Sequence, residues 1–260
     1  EPIRSQFSLS YSAILTIFEH LKEKIFDAIE SSFANFGKDS SSFEVKRKQL
    51  SARLQVLTRM GYIFGGALTP RGRMAKKIYG YELIVTEFYW NKLFDEVNED
   101  ELNALVVAIC YESKRFSKKP VIWSGRWRKV VGMATRRARK IFDVESGYKV
   151  SDRIRLPDFA LSFPAYLWSK GENFTRIIEV SGLDGGDIVR TFRLAIQVLR
   201  NLRSALEPDS PLCARIDESI SRMKRDDVDA EWQIMAGLPA GLAKTLGEQG
   251  VATEPVQPQE

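Results

Sequence analysis

The sequence predicts a mainly α-helical protein with one small β-hairpin, and three observations carry that prediction. Apolar residues recur at three- and four-residue spacing through most of the chain, as in Ile188, Phe192, Ala195, Leu199, Leu202 and Leu206, which is the period of a one-sided helix. Helix-start signals precede several such runs: Thr69 before Pro70, Asn98 with Glu101 three residues on, and Asn173 before Phe174. Only one stretch reads as strand. There, short apolar runs flank Gly65 and Gly66, the pattern of a tight hairpin.

In chain order, residues 8–19 form an amphipathic helix through Leu9, Ala13, Ile14, Ile17 and Phe18. A second follows through Ile25, Phe26, Ile29 and Phe33, ending near Gly37, and a polar break covers 38–42. Residues 43–60 are helical again, with Leu50, Leu54 and Leu57 on one side. The hairpin comes next, and Thr69 caps a helix that Pro70 starts. Helix, hairpin and then Leu68, Thr69, Pro70, Arg71, Gly72, Arg73 is the order of a winged helix. Two readings stand for it: nucleic-acid binding through Arg71, Arg73, Lys76 and Lys77, or a spacer that packs one domain on another.

Beyond it the periodicity predicts helices over 81–93, 98–109, 123–142, 157–169 with a bend near Pro164, and 173–178. A long helix over 187–206 and a last one over 212–228 follow. Asp187 reads as the N-cap of the long helix. After Ala236 large apolar residues thin out, and the tail 236–260 reads as flexible. The expected organisation is therefore connecting helices and a winged helix over 1–85, a helical bundle over 86–235, and the tail.

Composition bounds the chemistry. The 260 residues are 44% hydrophobic and include 15 Phe, enough for a substantial core, and the formal charge is +5. Cys110 and Cys213 are too few for a disulfide framework or a zinc site and read as reduced core thiols. No apolar run approaches a membrane span, so no membrane partner and a cytoplasmic location are expected. The first residues, Glu1 and Pro2, suggest an excised fragment. The single histidine, His20, has no Cys or carboxylate cluster beside it in sequence, and no phosphate-binding loop, nucleophile elbow or paired catalytic carboxylates occur. No catalytic residue, metal ligand or cofactor site is expected in this chain.

Charge is where the sequence speaks to function. On the 187–206 helix, Arg190, Arg193, Gln197, Arg200 and Ser204 fall within roughly 80–90° of one another. Such a ridge suits a polyanion lying alongside; it also suits the solvated face of an ordinary bundle helix. Between Glu112 and Asp143 there is no acid but a run of cations that includes Arg126 and Arg128. Interleaved with Trp123 and Trp127, these offer a second surface, unless the two Trp belong to the core.

These residues resemble a known family. The N-terminal segment through Glu1, Pro2, Ile3, Arg4, Ser5, Gln6 and Phe7 is similar to the exit from the second RecA-like domain of exosome-type DExH-box RNA helicases. Arg53 and Leu54 through Gly61, with Tyr81, Glu82 and Leu83, resemble the later part of their winged helix. Trp168, Gly171, Phe174 and Ile177, then Gly186, Asp187, Ile188, Val189 and Arg190, resemble their C-terminal helical bundle, the DSHCT domain. Lys224, Arg225 and Asp226 resemble its final Lys-Arg-Asp. The resemblance implies that 187–206 is the ratchet helix, with Arg190 and Arg193 as contacts to single-stranded RNA. Leu194 stands where the family has a second basic residue, and Gln197 where it has Glu. The long arch of eukaryotic members is missing, as in a bacterial or reduced member. ATP and Mg would then belong to RecA-like domains of the same parent chain, outside this sequence, and an RNA-processing protein is a further implied partner.

Two other functions stay open on the residues alone. The stretch from Phe174 to Ile196 also reads as helix, turn, helix, the pattern of a DNA-binding regulator. A structural scaffold that docks an acidic protein on the basic run is the other.

Overall fold

The computed structural model describes residues 10–34, 40–113 and 119–229. The expected tail 236–260, the segment before Ser10 and part of the polar break lie outside them. Eleven α-helices and a single two-stranded hairpin make up the described residues. None of the helices is long and apolar enough to cross a membrane.

α1 (Tyr11–Leu21) is capped by Ser10, whose Oγ accepts from the Ala13 N–H. α2 (Ile25–Ala34) and α3 (Ser40–Arg59) follow. The chain reverses at Gly61 (φ 76°) into β1 (Ile63–Phe64) and β2 (Ala67–Leu68), antiparallel with Ile63 opposite Leu68 and Phe64 opposite Ala67. Gly65 and Gly66 both sit at positive φ, 58° and 71°, as a two-residue turn of this kind demands. Thr69 then caps α4 (Pro70–Lys77), accepting from the Gly72 N–H and donating to the Gly61 carbonyl.

α5 (Glu82–Trp90) is buried over seven consecutive residues, and α6 (Glu99–Cys110) over eleven. α6 is the axis of the bundle, and α8, α10 and α11 pack around it. It starts in the expected capping box: Asn98 accepts from the Glu101 N–H, and Glu101 accepts from the Asn98 N–H. Its polar residues are buried because each finds a partner across the bundle. Asp100 accepts from Ser169 and Arg222, and the Asn103 amide donates to Ser169 and to the Ser219 carbonyl.

α7 (Gly125–Gly147) begins after Ser124, whose hydroxyl caps it. The helix expected over 157–169 is shorter. Asp158 caps a 3₁₀ turn, Phe159–Leu161, and α8 spans only Ser162–Ser169. Pro164 therefore lies in the first turn of α8, where its missing N–H has no intrahelical acceptor, and no bend is needed there. α9 (Phe174–Ser181) carries the expected Asn173 cap. α10 (Gly185–Ala205) and α11 (Pro211–Met223) complete the bundle, and a last 3₁₀ turn spans Asp226–Val228.

One hydrophobic core runs from Tyr11 to Val228. Both cysteines are buried and free, and burial pushes the Cys110 thiol up to about 12, which makes it an unreactive core group. Glu145 is a polar fastener inside this core. Its carboxylate accepts from the Tyr11 hydroxyl at 2.8 Å and from the Ile154 N–H at 2.7 Å, joining α1 to α7 and the loop after it. Burial raises its pKa, and the hydrogen bonds and the charges of Arg53 and Arg153 oppose that rise. The folded protein thus holds this proton at a pH where the unfolded chain has lost it. Across that interval stability falls as pH rises. Glu145→Gln is expected to flatten this part of the stability profile with little loss at neutral pH, because its amide can donate to the Tyr11 oxygen. Glu145→Ala strands the Ile154 N–H and is expected to cost about 1–3 kcal/mol. Urea titrations across the acidic range check both.

Candidate nucleic-acid interface

The ridge is built by α10. Its first turn contains Gly185 and Gly186, and the cap is Asp184, whose Oδ1 accepts from the Gly186 N–H at 2.8 Å. The expected cap, Asp187, is instead an acid inside the first turn, where it complements the helix dipole. The expectation failed because the two glycines read as a turn, yet neither has positive φ. Close packing is what selects Gly185: a Cβ there would meet the Phe174 ring of α9 at 3.3 Å.

The inner face of α10 is formed by Ile188, Phe192, Ala195, Ile196, Leu199 and Leu202, all buried against α6, α11 and α4. That fixes the direction of the opposite ridge. Arg190 stands in solvent, its side chain 79% exposed, with Asp187 4.0 Å away. Gln197 is exposed and donates to Asn201 one turn on. Arg200 is exposed and has no protein partner among the described residues. Arg193 differs. Its Nε donates to the Val228 carbonyl at 3.1 Å and its Nη2 to the Asp227 carbonyl at 2.9 Å, bracing the last 3₁₀ turn. Arg190, Arg193, Gly185, Gly186 and Phe174 frame a shallow cleft of about 560 Å³ at the N-terminal end of the ridge.

At its other end the ridge meets α4. Lys77 donates to the Ser204 carbonyl at 3.4 Å. Arg73, exposed on the same helix, reaches back to the Leu68 carbonyl at 2.8 Å and braces the hairpin. Arg71 turns inward instead: it donates to the Met60 carbonyl, pairs with Glu87 at 3.2 Å, and lies 5.5 Å from the Trp90 ring centre. On α7, Arg126 forms a two-pronged pair with Glu101 of α6, whereas Arg128 is exposed without a partner among the described residues. Trp127 is fully buried and Trp123 stacks on it at 4.3 Å and on Tyr166 at 4.8 Å, so these rings belong to the core side of α7. Sequence reasoning did not single out Tyr81 as a site residue. Burial raises its hydroxyl to about 12, and the charges of Arg155 and Arg190 pull the other way.

The model of the DSHCT (NUC185) domain matches residues 65–230, more than half of the chain. The chain belongs to the DSHCT family. The DSHCT match takes in the hairpin turn, α6 and the whole of α10. Among curated relatives, the chain is similar to the DExH-box ATP-dependent RNA helicase DExH10 of Arabidopsis thaliana, 29% identical over 64% of this chain and 17% of the relative. It is also similar to DExH9 of the same plant, 27% identical over 74% of this chain and 20% of the relative. The Exosome RNA helicase MTR4 of Homo sapiens is 25% identical over 83% of this chain and 21% of the relative. The chain thus spans about a fifth of the length of these relatives.

Proposed function

We propose that this chain is the accessory C-terminal region of an ATP-dependent RNA helicase and guides single-stranded RNA past α10. The observation that carries the reading is the open part of the ridge. Arg190, Gln197 and Arg200 face solvent on one side of a helix whose other side is locked into the core. Rigid backing of that kind fixes the spacing of the helix positions that carry the cations, and phosphates along a strand suit such a row. Arg193 serves the same end from the cleft, holding the final 3₁₀ turn beside the strand. The relatives are named as RNA helicases, which favours RNA over a duplex DNA operator. ATP and Mg are assigned to RecA-like domains of the same parent chain, with an RNA-processing protein as further partner and the cytoplasm as the place of action. The winged-helix segment is assigned to packing those domains on the bundle.

The test is a double variant, Arg190→Ala with Arg200→Ala. Arg193 is left in place because it braces the Asp226–Val228 turn. Fluorescence anisotropy with an unstructured RNA oligomer should show weaker binding. The slope of log affinity against log salt should be shallower by about 1.4, the release of roughly 0.7 counterion per lost phosphate contact. An unchanged slope, or a footprint on one defined duplex DNA site, would sink the proposal.

A further inference from the structure

We infer that α7 carries a second nucleic-acid surface, one that takes the phosphate backbone of base-paired RNA. Its inner face is fixed by Trp127, Val130, Ala134, Ala138 and Ile141, all buried. Opposite them Arg128, Lys129, Arg136, Arg139 and Lys140 are exposed within a sector of about 120°, and Arg137, also exposed, stands about 60° outside it. The row extends about 18 Å along the helix. None of the six makes an ion pair among the described residues, and Asp143, the first carboxylate after Glu112, is not paired with them either.

Three features separate this face from an ordinary solvated one. Surface helices usually mix both signs of charge, which allows favourable pairs at three- and four-residue spacing. Here Arg136 with Arg139, Arg136 with Lys140, and Arg137 with Lys140 repeat one sign at those spacings, so the helix is repelled by itself until an anion arrives. Met133, Arg136, Arg137 and Lys140 also frame a hollow of about 350 Å³ on this face. Finally, the face presents no aromatic ring, since Trp123 and Trp127 are stacked inward. Single-strand surfaces combine cations with rings on which bases stack. A purely cationic straight row matches a duplex, which offers backbone and shape instead of free bases.

The two surfaces lie on different sides of the packing. α10 rests on α6, α11 and α4, whereas α7 rests on α5, α3 and the Leu93–Glu96 turn. A structured RNA could therefore hold its paired part on α7 while its single strand runs along α10. The choice of RNA over an acidic protein rests on the function proposed above.

The experiment compares three forms of the chain with two probes, a blunt RNA duplex and an unstructured single strand. The first form is unaltered. The second carries Arg136→Gln, Arg137→Gln, Arg139→Gln and Lys140→Gln, which keeps helix-forming side chains and removes like-charge repulsion. The third is the Arg190→Ala, Arg200→Ala variant. The α7 variant is expected to lose duplex affinity at least tenfold, with a salt slope shallower by about 3–4, and to bind the single strand as before, with a melting temperature no lower than that of the unaltered chain. Unchanged duplex binding overturns the inference. So does an equal loss for both probes, or displacement of the duplex by poly-glutamate at lower charge concentration than by competing duplex. If the third form binds the single strand as tightly as the unaltered chain while the second loses only duplex binding, the α10 reading fails and the α7 surface stands.

Discussion

Trp168→Ala is expected to destabilise the fold by about 3–5 kcal/mol, among the largest losses any single side chain here can produce. Trp168 of α8 is fully buried, and its indole N–H donates to the Met223 carbonyl at the end of α11. Phe174 of α9 meets it edge-on at 5.7 Å, and Phe192 of α10 lies at 6.1 Å. The Arg225 guanidinium sits 3.5 Å from the ring centre and donates to the Trp168 carbonyl. One ring thus pins three helices and the residue that leads into the Asp226–Val228 turn. Removing it leaves a cavity, orphans the Met223 carbonyl and frees the turn that Arg193 braces. Urea unfolding should show a lower midpoint with an unchanged slope. Trp168→Phe, which keeps most of the volume but not the N–H donor, should cost much less. A loss below about 1 kcal/mol for the alanine variant would show that the ring is not the keystone of this end of the bundle.

The second large effect is expected at Gly72, in the first turn of α4. A Cβ there would stand 2.2 Å from the Tyr62 carbonyl oxygen, which is backbone and cannot rotate away. Gly72→Ala must push α4 off the hairpin, breaking the Thr69 cap and the Arg73 contact to the Leu68 carbonyl. Overpacking of this kind costs about 1–3 kcal/mol, and a clash with rigid backbone belongs at the upper end or above it. Gly125, at the start of α7, is the control: a Cβ there meets nothing within 4 Å. Gly125→Ala should be neutral or stabilising by up to about 1 kcal/mol. Thermal melts of the two variants should therefore move in opposite directions or differ widely. A Gly72→Ala protein as stable as Gly125→Ala would contradict the close approach of α4 to Tyr62.

Local signals in the chain were enough for much of the fold. Thr69, Asn98 and Asn173 cap the helices they precede because a cap needs only the N–H groups two or three residues on. Gly65 and Gly66 form the hairpin turn because only a residue lacking Cβ takes positive φ readily at both positions. The errors arose where two local rules competed. Gly185 and Gly186 obey the turn rule in sequence but are helical, since Asp184 caps them, and a Cβ at Gly185 would crowd the Phe174 ring at 3.3 Å. Pro164 obeys the kink rule but lies in a first turn, because the helix starts five residues later than expected.

By itself the sequence determined which side of α10 faces the core, and with it the direction of its cationic row, whereas on α7 the inward stacking of Trp123 and Trp127 was decided by the structure. The sequence could not say which cations were already engaged. Arg71 reaches Met60 and Glu87, Arg126 reaches Glu101, and Arg193 reaches Asp227 and Val228, whereas Arg200 and Arg128 reach no protein group among the described residues. Only the tertiary structure decided this. Periodicity is a property of one helix, but the carbonyl or carboxylate that holds a guanidinium comes from another segment, and nothing in the spacing of one element encodes where the other will stand.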